Sequence, residues 1–257
     1  RGEYWEVISP DLTTNDPKFL TTGKGGDGNM QYCTITTIDE SPLVEGLLWV
    51  GTDDGNVWVT RDGGKNWTAI DNIPGVPANT YVNQVITSLH DKNTVYATFN
   101  HHRYGDFRPY VYVSKDAGKT WTAIQHNLPE RGSVYTIAED HVNPNLLFVG
   151  TEFGVYCSLD GGAQWQPLKG GLPTIAVRDI EIQRRENDLV IATFGRGFYV
   201  LDDYAPLRYL KQADTTQAAI IFPVKDAWMF EEANPLGNWG GSKKGTMGES
   251  YFITPNP

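Results

Sequence analysis

The chain has 257 residues, enough to bury a sizeable core, and carries 31 acidic against 21 basic side chains for a net charge of −10. That balance excludes a nucleic-acid or anionic-membrane surface, which needs clustered Lys and Arg. No apolar run approaches the ~20 residues of a membrane-crossing helix. The two cysteines, Cys33 and Cys157, fall on different strand types of different units, so free thiols are expected rather than a disulfide.

In chain order, Arg1-Gly2-Glu3-Tyr4-Trp5 has the Gly-to-Trp spacing of a tight hairpin that returns three more times, and Glu6-Val7-Ile8 reads as its return strand. The chain is thus expected to open inside a hairpin whose first strand lies upstream. A first full unit, 30–70, has strands at Tyr32–Ile38 and Leu47–Thr52, then Val57-Trp58-Val59. The box Thr60-Arg61-Asp62-Gly63-Gly64-Lys65-Asn66-Trp67 follows, and Trp67 opens a fourth strand. The second unit, 82–124, repeats this order. Its strands are Val82–Thr87, Thr94–Thr98 and Tyr110–Val113, and its box runs from Ser114 through Asp116 and Gly118 to Trp121. The third, 134–168, has Val134–Ile137, Leu146–Thr151 and Val155–Cys157, with a box from Ser158 through Asp160 and Gly162 to Trp165. Each box reads hydroxyl, any, Asp, any, Gly, any, any, Trp. Asp bonds nearby backbone amides, and Gly takes a positive φ that a tight turn requires. A fourth unit, 177–210, keeps three strands (Ile180–Ile182, Leu189–Thr193, Gly197–Val200), while its box has decayed to Leu201-Asp202-Asp203-Tyr204-Ala205-Pro206.

Four short strands per unit of about 40 to 45 residues define a β-propeller of four-stranded blades. Four blades and a fragment are few for a closed ring, so this all-β chain is expected to be an incomplete portion of a larger propeller. Residues 1–210 are read as blades, with 1–8 as the end of an upstream one. Residues 211–257 are read as closing strands (Ala218–Phe222, Ala227–Phe230), an exposed loop (Asn234–Glu249) and a linker leading downstream through Pro255-Asn256-Pro257.

The box spelling resembles the Asp-box, or bacterial neuraminidase, repeat family over roughly residues 1–210. That superfamily includes sialidases, xyloglucan-cleaving glycosidases and the luminal domain of sortilin receptors. Gly51-Thr52-Asp53-Asp54-Gly55, Gly150-Thr151-Glu152-Phe153-Gly154 and Phe194–Asp203 look most like large exported bacterial repeat proteins of glycosyl-hydrolase-like or sortilin-like type. The resemblance implies a secreted, periplasmic or cell-surface bacterial protein. It implies a sialidase site only where the Phe/Tyr-Arg-Ile-Pro motif and an Arg triad are present. That motif is absent from this sequence, so no sialidase residue is carried over.

In a propeller the box turn joins strands three and four on one face. The loops from strand two to three, and from strand four to the next blade, emerge together on the other face, where ligands of propellers gather. Asp62, Gly64, Trp67, Asp116, Gly118, Trp121, Asp160, Gly162 and Trp165 are therefore expected to be structural. The candidate ligand-binding residues are Asp53, Asp54, His101, His102, Arg103, Asp106, Glu152 and Arg196, with Phe153 beside Glu152 and Arg178 near the same face. Arg offers a bidentate fork and Tyr104 a stacking surface, chemistry fitted to sugars and carboxylates. The expected function is a binding or scaffold module recognising a glycan, a peptide or a partner protein. The enzymatic alternative is a glycoside hydrolase with paired carboxylates from different blades, such as Asp53 or Asp54 with Glu152. Adjacent His101 and His102 point opposite ways in an extended segment, which disfavours a shared metal with Asp106, so neither metal nor cofactor is expected. The expected partners are the remainder of the same protein and a glycan or protein ligand.

Overall fold

The computed structural model describes residues 4–17, 33–71, 73–212, 216–226, 231–233 and 251–253. They divide into two units, 1–213 and 214–257. The first holds four blades. Blade I is β1 (Ile35–Glu40), β2 (Leu48–Thr52), β3 (Val57–Thr60) and β4 (Trp67–Ala69). Blade II is β5 (Tyr81–Thr87), β6 (Val95–His101), β7 (Asp106–Ser114) and β8 (Thr122–Ala123). Blade III is β9 (Val134–Glu139), β10 (Leu147–Thr151), β11 (Gly154–Ser158) and β12 (Gln166–Leu168). Blade IV is β13 (Val177–Gln183), β14 (Asp188–Thr193) and β15 (Phe198–Leu201). Blades I to III are four-stranded antiparallel meanders, and blade IV is three-stranded.

The expected propeller architecture is thus present. Alternation along the strands sends apolar side chains to both faces of each sheet, because every interior blade packs against two neighbours. Three clusters result, one per blade junction. Trp49, Val57, Val59, Val82 and Val85 meet between I and II. Val111, Val113, Val134, Ile137 and Trp165 meet between II and III. Phe148, Val155, Val177, Ile180 and Tyr204 meet between III and IV. Burying each such side chain contributes roughly 1.5–3 kcal/mol.

The three boxes form one repeated hydrogen-bond pattern. The buried hydroxyls of Thr60, Ser114 and Ser158 donate to Asp62, Asp116 and Asp160 at 2.8 Å in each box. The same hydroxyls accept from the amides of Gly64, Gly118 and Gly162 at 2.9, 2.8 and 2.8 Å. The Asp carboxylates then accept from the amides of Asn66, Thr120 and Gln164. Side-chain and backbone donors of Asn66 hold Asp62 down to about 2, and those of Thr120 do the same for Asp116. The amides of Gly63, Ala117 and Gly161 reach the β1–β2, β5–β6 and β9–β10 turns at Gly46, Asn93 and Asn145. Box turns and first-to-second turns therefore share a face.

Blade IV solves the loss of its box differently. The Tyr204 amide bonds Asn187 at 2.8 Å, as Gly63, Ala117 and Gly161 bond their own turns, and the Tyr204 ring is buried edge-on to Phe148 with centroids 5.2 Å apart. The fourth strand gives way to a 3-10 helix, Ala205–Gln212.

Two strand readings are corrected. Glu6–Ile8 pairs with no strand: its residues are largely exposed, although the Ile8 carbonyl accepts the Trp67 indole at 2.8 Å. Ala218–Phe222 is also not a strand. In the second unit a short antiparallel hairpin pairs β16 (Glu231–Ala233) with β17 (Tyr251–Ile253). Residues 1–3, 30–32, 227–230, the 234–249 loop and the 255–257 linker lie outside the described residues. Cys33 and Cys157 are free, the first half-buried and the second buried. No helix among the described residues is long and apolar enough to cross a membrane.

Candidate functional site

Opposite the box face, the β6–β7, β10–β11 and blade II–III connections meet the starts of β9 and β13 around a depression of ≈ 710 Å³. His102, Phe107, Arg131, Tyr135, Glu152, Phe153 and Arg178 supply its chemistry. The backbone fixes this convergence. The Glu152 amide bonds the Ser133 carbonyl at 3.0 Å, and the Gly132 amide bonds the Phe107 carbonyl at 2.9 Å, so the β10–β11 loop, the blade II–III connection and the start of β7 are laced together.

The side chains interlock as well. The Arg178 guanidinium lies over the Tyr135 ring, 3.8 Å from its centroid, with the Phe194 ring at 5.2 Å. Arg131 stands 5.8 Å from the centre of Phe107. Guanidinium stacking of this kind orders the cation and leaves its N–H fork available in the plane. The Tyr135 hydroxyl donates to Glu152 Oε2. Burial, and then that hydrogen bond, push Tyr135 up to about 12, so it remains a phenol at any physiological pH. His102 bonds Asn100 through Nδ1. Partial burial lowers its pKa, and the charges of Arg103 and Arg178 lower it further against the pull of Glu152, so His102 is neutral near pH 7.

Of the eight candidates read from sequence, the depression brings together His102 and Glu152. Asp53 and Asp54 are buried and employed elsewhere. Asp53 caps the Thr34 amide at 2.8 Å. Asp54 takes the Thr14 amide and hydroxyl, both at 2.7 Å, and the Thr52 hydroxyl, pinning the 11–15 segment onto blade I. They leave the candidate face, because an Asp-Asp-Gly turn whose side chains cap backbone donors has none to offer a ligand. Asp106 is held by the fork of Arg108 and by the Tyr110 hydroxyl, and chiefly Arg108 depresses its pKa. His101 bonds Thr80 and stacks on Tyr104 at 4.4 Å. Arg103 lies 5.4 Å from the centre of the Tyr81 ring. Arg196 is exposed in the β14–β15 turn. Among the described residues no cluster of His, Cys, Asp and Glu has the makings of a metal site.

Arg131, Tyr135 and Phe107 were not among the sequence candidates. Arg131 lies in the connection from strand four to the next blade, a segment that propeller geometry assigns to this face. Taking candidates from those connections as well as from the two-to-three loops would have found it.

Residues 112–123 match the family model of the BNR/Asp-box repeat, and the same box geometry recurs in blades I and III. The blade II box is a BNR/Asp-box repeat. The propeller is similar in fold to a GH74 enzyme from Niastella koreensis (TM-score 0.55, 12% identity, 68% of this chain and 29% of that one). It is also similar to YCF48 bound to D1 peptide (TM-score 0.51, 17%, 66% and 52%). A third likeness is to the extracellular domain of a two-component system from B. thetaiotaomicron (TM-score 0.50, 15%, 66% and 21%). The chain thus spans 52% of the YCF48 chain and less than a third of the other two. No curated protein matches it in sequence.

Proposed function

We propose that this Asp-box propeller is a binding module of an exported protein, and that its loop-face depression takes an acidic peptide segment of a partner. The observation carrying this reading is the meeting of Arg131 and Arg178 with aromatic rings of blades II to IV, on a chain whose net charge is −10. Two guanidiniums face one lining carboxylate, Glu152, which Tyr135 already engages. A ligand carboxylate matches the guanidinium fork. Phe107, Phe153 and Phe194, all exposed, offer the rigid apolar anchors that carry most of the energy at protein interfaces. The D1 peptide on YCF48 and the extracellular placement of the B. thetaiotaomicron domain support peptide recognition and export respectively.

Glycoside hydrolysis requires two carboxyl groups facing each other at about 5 to 10 Å. Glu152 is the one carboxylate among the described lining residues, so the geometry favours binding. Fluorescence anisotropy with acidic, Phe-bearing peptides and their Gln/Asn counterparts tests this. The acidic series is expected to bind in a salt-sensitive way and to lose roughly tenfold on Arg131→Ala or Arg178→Ala, the equivalent of about 1.4 kcal/mol. Equal binding of the neutral series, or unchanged affinity in both variants, overturns the proposal.

A further inference from the structure

Strand register makes the four blades comparable residue by residue. Leu48, Val95, Leu147 and Leu189 pair with Thr60, Ser114, Ser158 and Leu201 at the head of each box position. Counting from that pair along the ladder, Ile35 holds the place of Val82, Val134 and Val177, and Ile38 that of Val85, Ile137 and Ile180. The six interior residues are buried against the preceding blade, none more than 3% exposed, whereas Ile35 is 49% and Ile38 59% exposed.

The far end shows the converse. Phe198 holds the place of Val57, Val111 and Val155, and Val200 that of Val59, Val113 and Cys157. Those six are buried against the following blade. Phe198 is 76% and Val200 54% exposed. Four aligned apolar positions standing in water, at the sites where every interior blade is dry, are faces built for a neighbour.

A third observation says what kind of neighbour. The Trp67 indole donates to the Ile8 carbonyl at 2.8 Å, as the Trp165 indole donates to Ile124 at 2.7 Å. A Cβ on Gly64 would stand 2.8 Å from Ile8 Cβ, and one on Gly162 3.0 Å from Ile124 Cβ. Ile8 follows Trp5 by the interval at which Ile124 follows Trp121. Trp5–Ile8 is therefore seated on blade I as the outer edge of a preceding Asp-box blade would be. In blades I to III that edge follows its own three inner strands in the chain.

We infer that both ends of the fan are blade-docking faces, each covered by a further Asp-box blade of the same polypeptide. Ile35 and Ile38 meet the blade whose outer edge is Trp5–Ile8, and Phe198 and Val200 meet the blade after blade IV. The inference is independent of what the loop face binds.

The test compares the polypeptide as its gene encodes it with the 257-residue chain. Ile38→Glu and Phe198→Glu are each expected to lower Tm by several degrees in the former and to leave it unchanged in the latter, where these side chains already meet water. Val142→Glu, an exposed apolar residue outside both faces, is expected to be silent in both. Where the Glu variants fail to accumulate, Phe198→Cys reads the same contact: its thiol is expected to resist maleimide in the encoded polypeptide and to react in the 257-residue chain. Neutral Glu variants, or a Phe198→Cys thiol that maleimide reaches freely in the encoded polypeptide, overturn the inference. So does a dimer of the 257-residue chain that Phe198→Glu dissolves, which would assign the faces to a second copy.

Discussion

The Tyr204 hydroxyl donates to Asp140 Oδ1 at 2.6 Å across the junction between blades III and IV. Arg208 grips the same carboxylate at 2.8 and 2.7 Å, so the one blade without a box Trp is clamped by a buried phenol–carboxylate–guanidinium triad. Burial works against the charged carboxylate, but Arg208 and Tyr204 outweigh it and keep Asp140 ionised. Tyr204→Phe is expected to cost about 1.5–3 kcal/mol, since it removes a hydrogen bond to a charged acceptor while keeping the ring against Phe148. Arg208→Ala is expected to cost about 3–5 kcal/mol, because it strands a carboxylate that has no exposed surface. Urea unfolding of the two variants checks the order, and a milder Arg208→Ala would show that the clamp is not what closes blade IV.

The boxes give the fold an acid limit. Asp62 and Asp116 lie near about 2 in the folded chain and near 3.8 when free of their partners. Depressed pKa values contribute stability that is present above the unfolded value and lost as pH falls through the folded one. Stability is therefore expected to hold down to about pH 4 and to decline toward about pH 2. Asp116→Asn is expected to be less stable at neutral pH and to show a shallower decline, read by circular dichroism across that window.

The two glycine positions of the box are not equivalent. Gly118 has φ +87, and a Cβ there would stand 2.6 Å from Trp49 Cη2 and 2.9 Å from Ile70 Cδ1. Gly161 has φ +70 with Asn145 Oδ1 at 3.4 Å as its nearest neighbour, and the matching position in blade II is already Ala117 at φ 59. Gly161→Ala is expected to cost about 1–2 kcal/mol, the left-handed penalty alone. Gly118→Ala adds overpacking and is expected to cost about 2–5 kcal/mol in the same melt.

His102 reports on the loop face. Arg178 is one of the charges that lower its pKa, so Arg178→Ala is expected to move the His102 titration upward in NMR. An unmoved His102 would mean that the two side chains do not share the depression.

The blades were legible in the sequence because their signals are local. Asp116, Gly118 and Trp121 specify a turn through contacts within eight residues, and period-two alternation marks both faces of each strand. Tyr204 was not legible as the substitute for a box Trp, since its partners Asp140 and Phe148 lie two strands and a blade away. Glu152 and Arg178 likewise lie far along the chain from Arg131 and Tyr135, and the four become one site when blades III and IV stack. Asp53 and Asp54 misled for the same reason: the donors that occupy them include Thr14 and Thr34, and nothing in an Asp-Asp-Gly turn announces that the chain folds back over it.

By itself the sequence determined the repeat, the strand order within a blade and the face on which the boxes lie, because hairpin geometry and side-chain alternation are short-range. Tertiary structure decided which polar groups remain for a ligand, which carboxylates are consumed as caps, and which apolar positions stay open at the ends of the fan. Those outcomes depend on how neighbouring sheets stack, and stacking brings together residues whose positions in the chain carry no mark of the encounter.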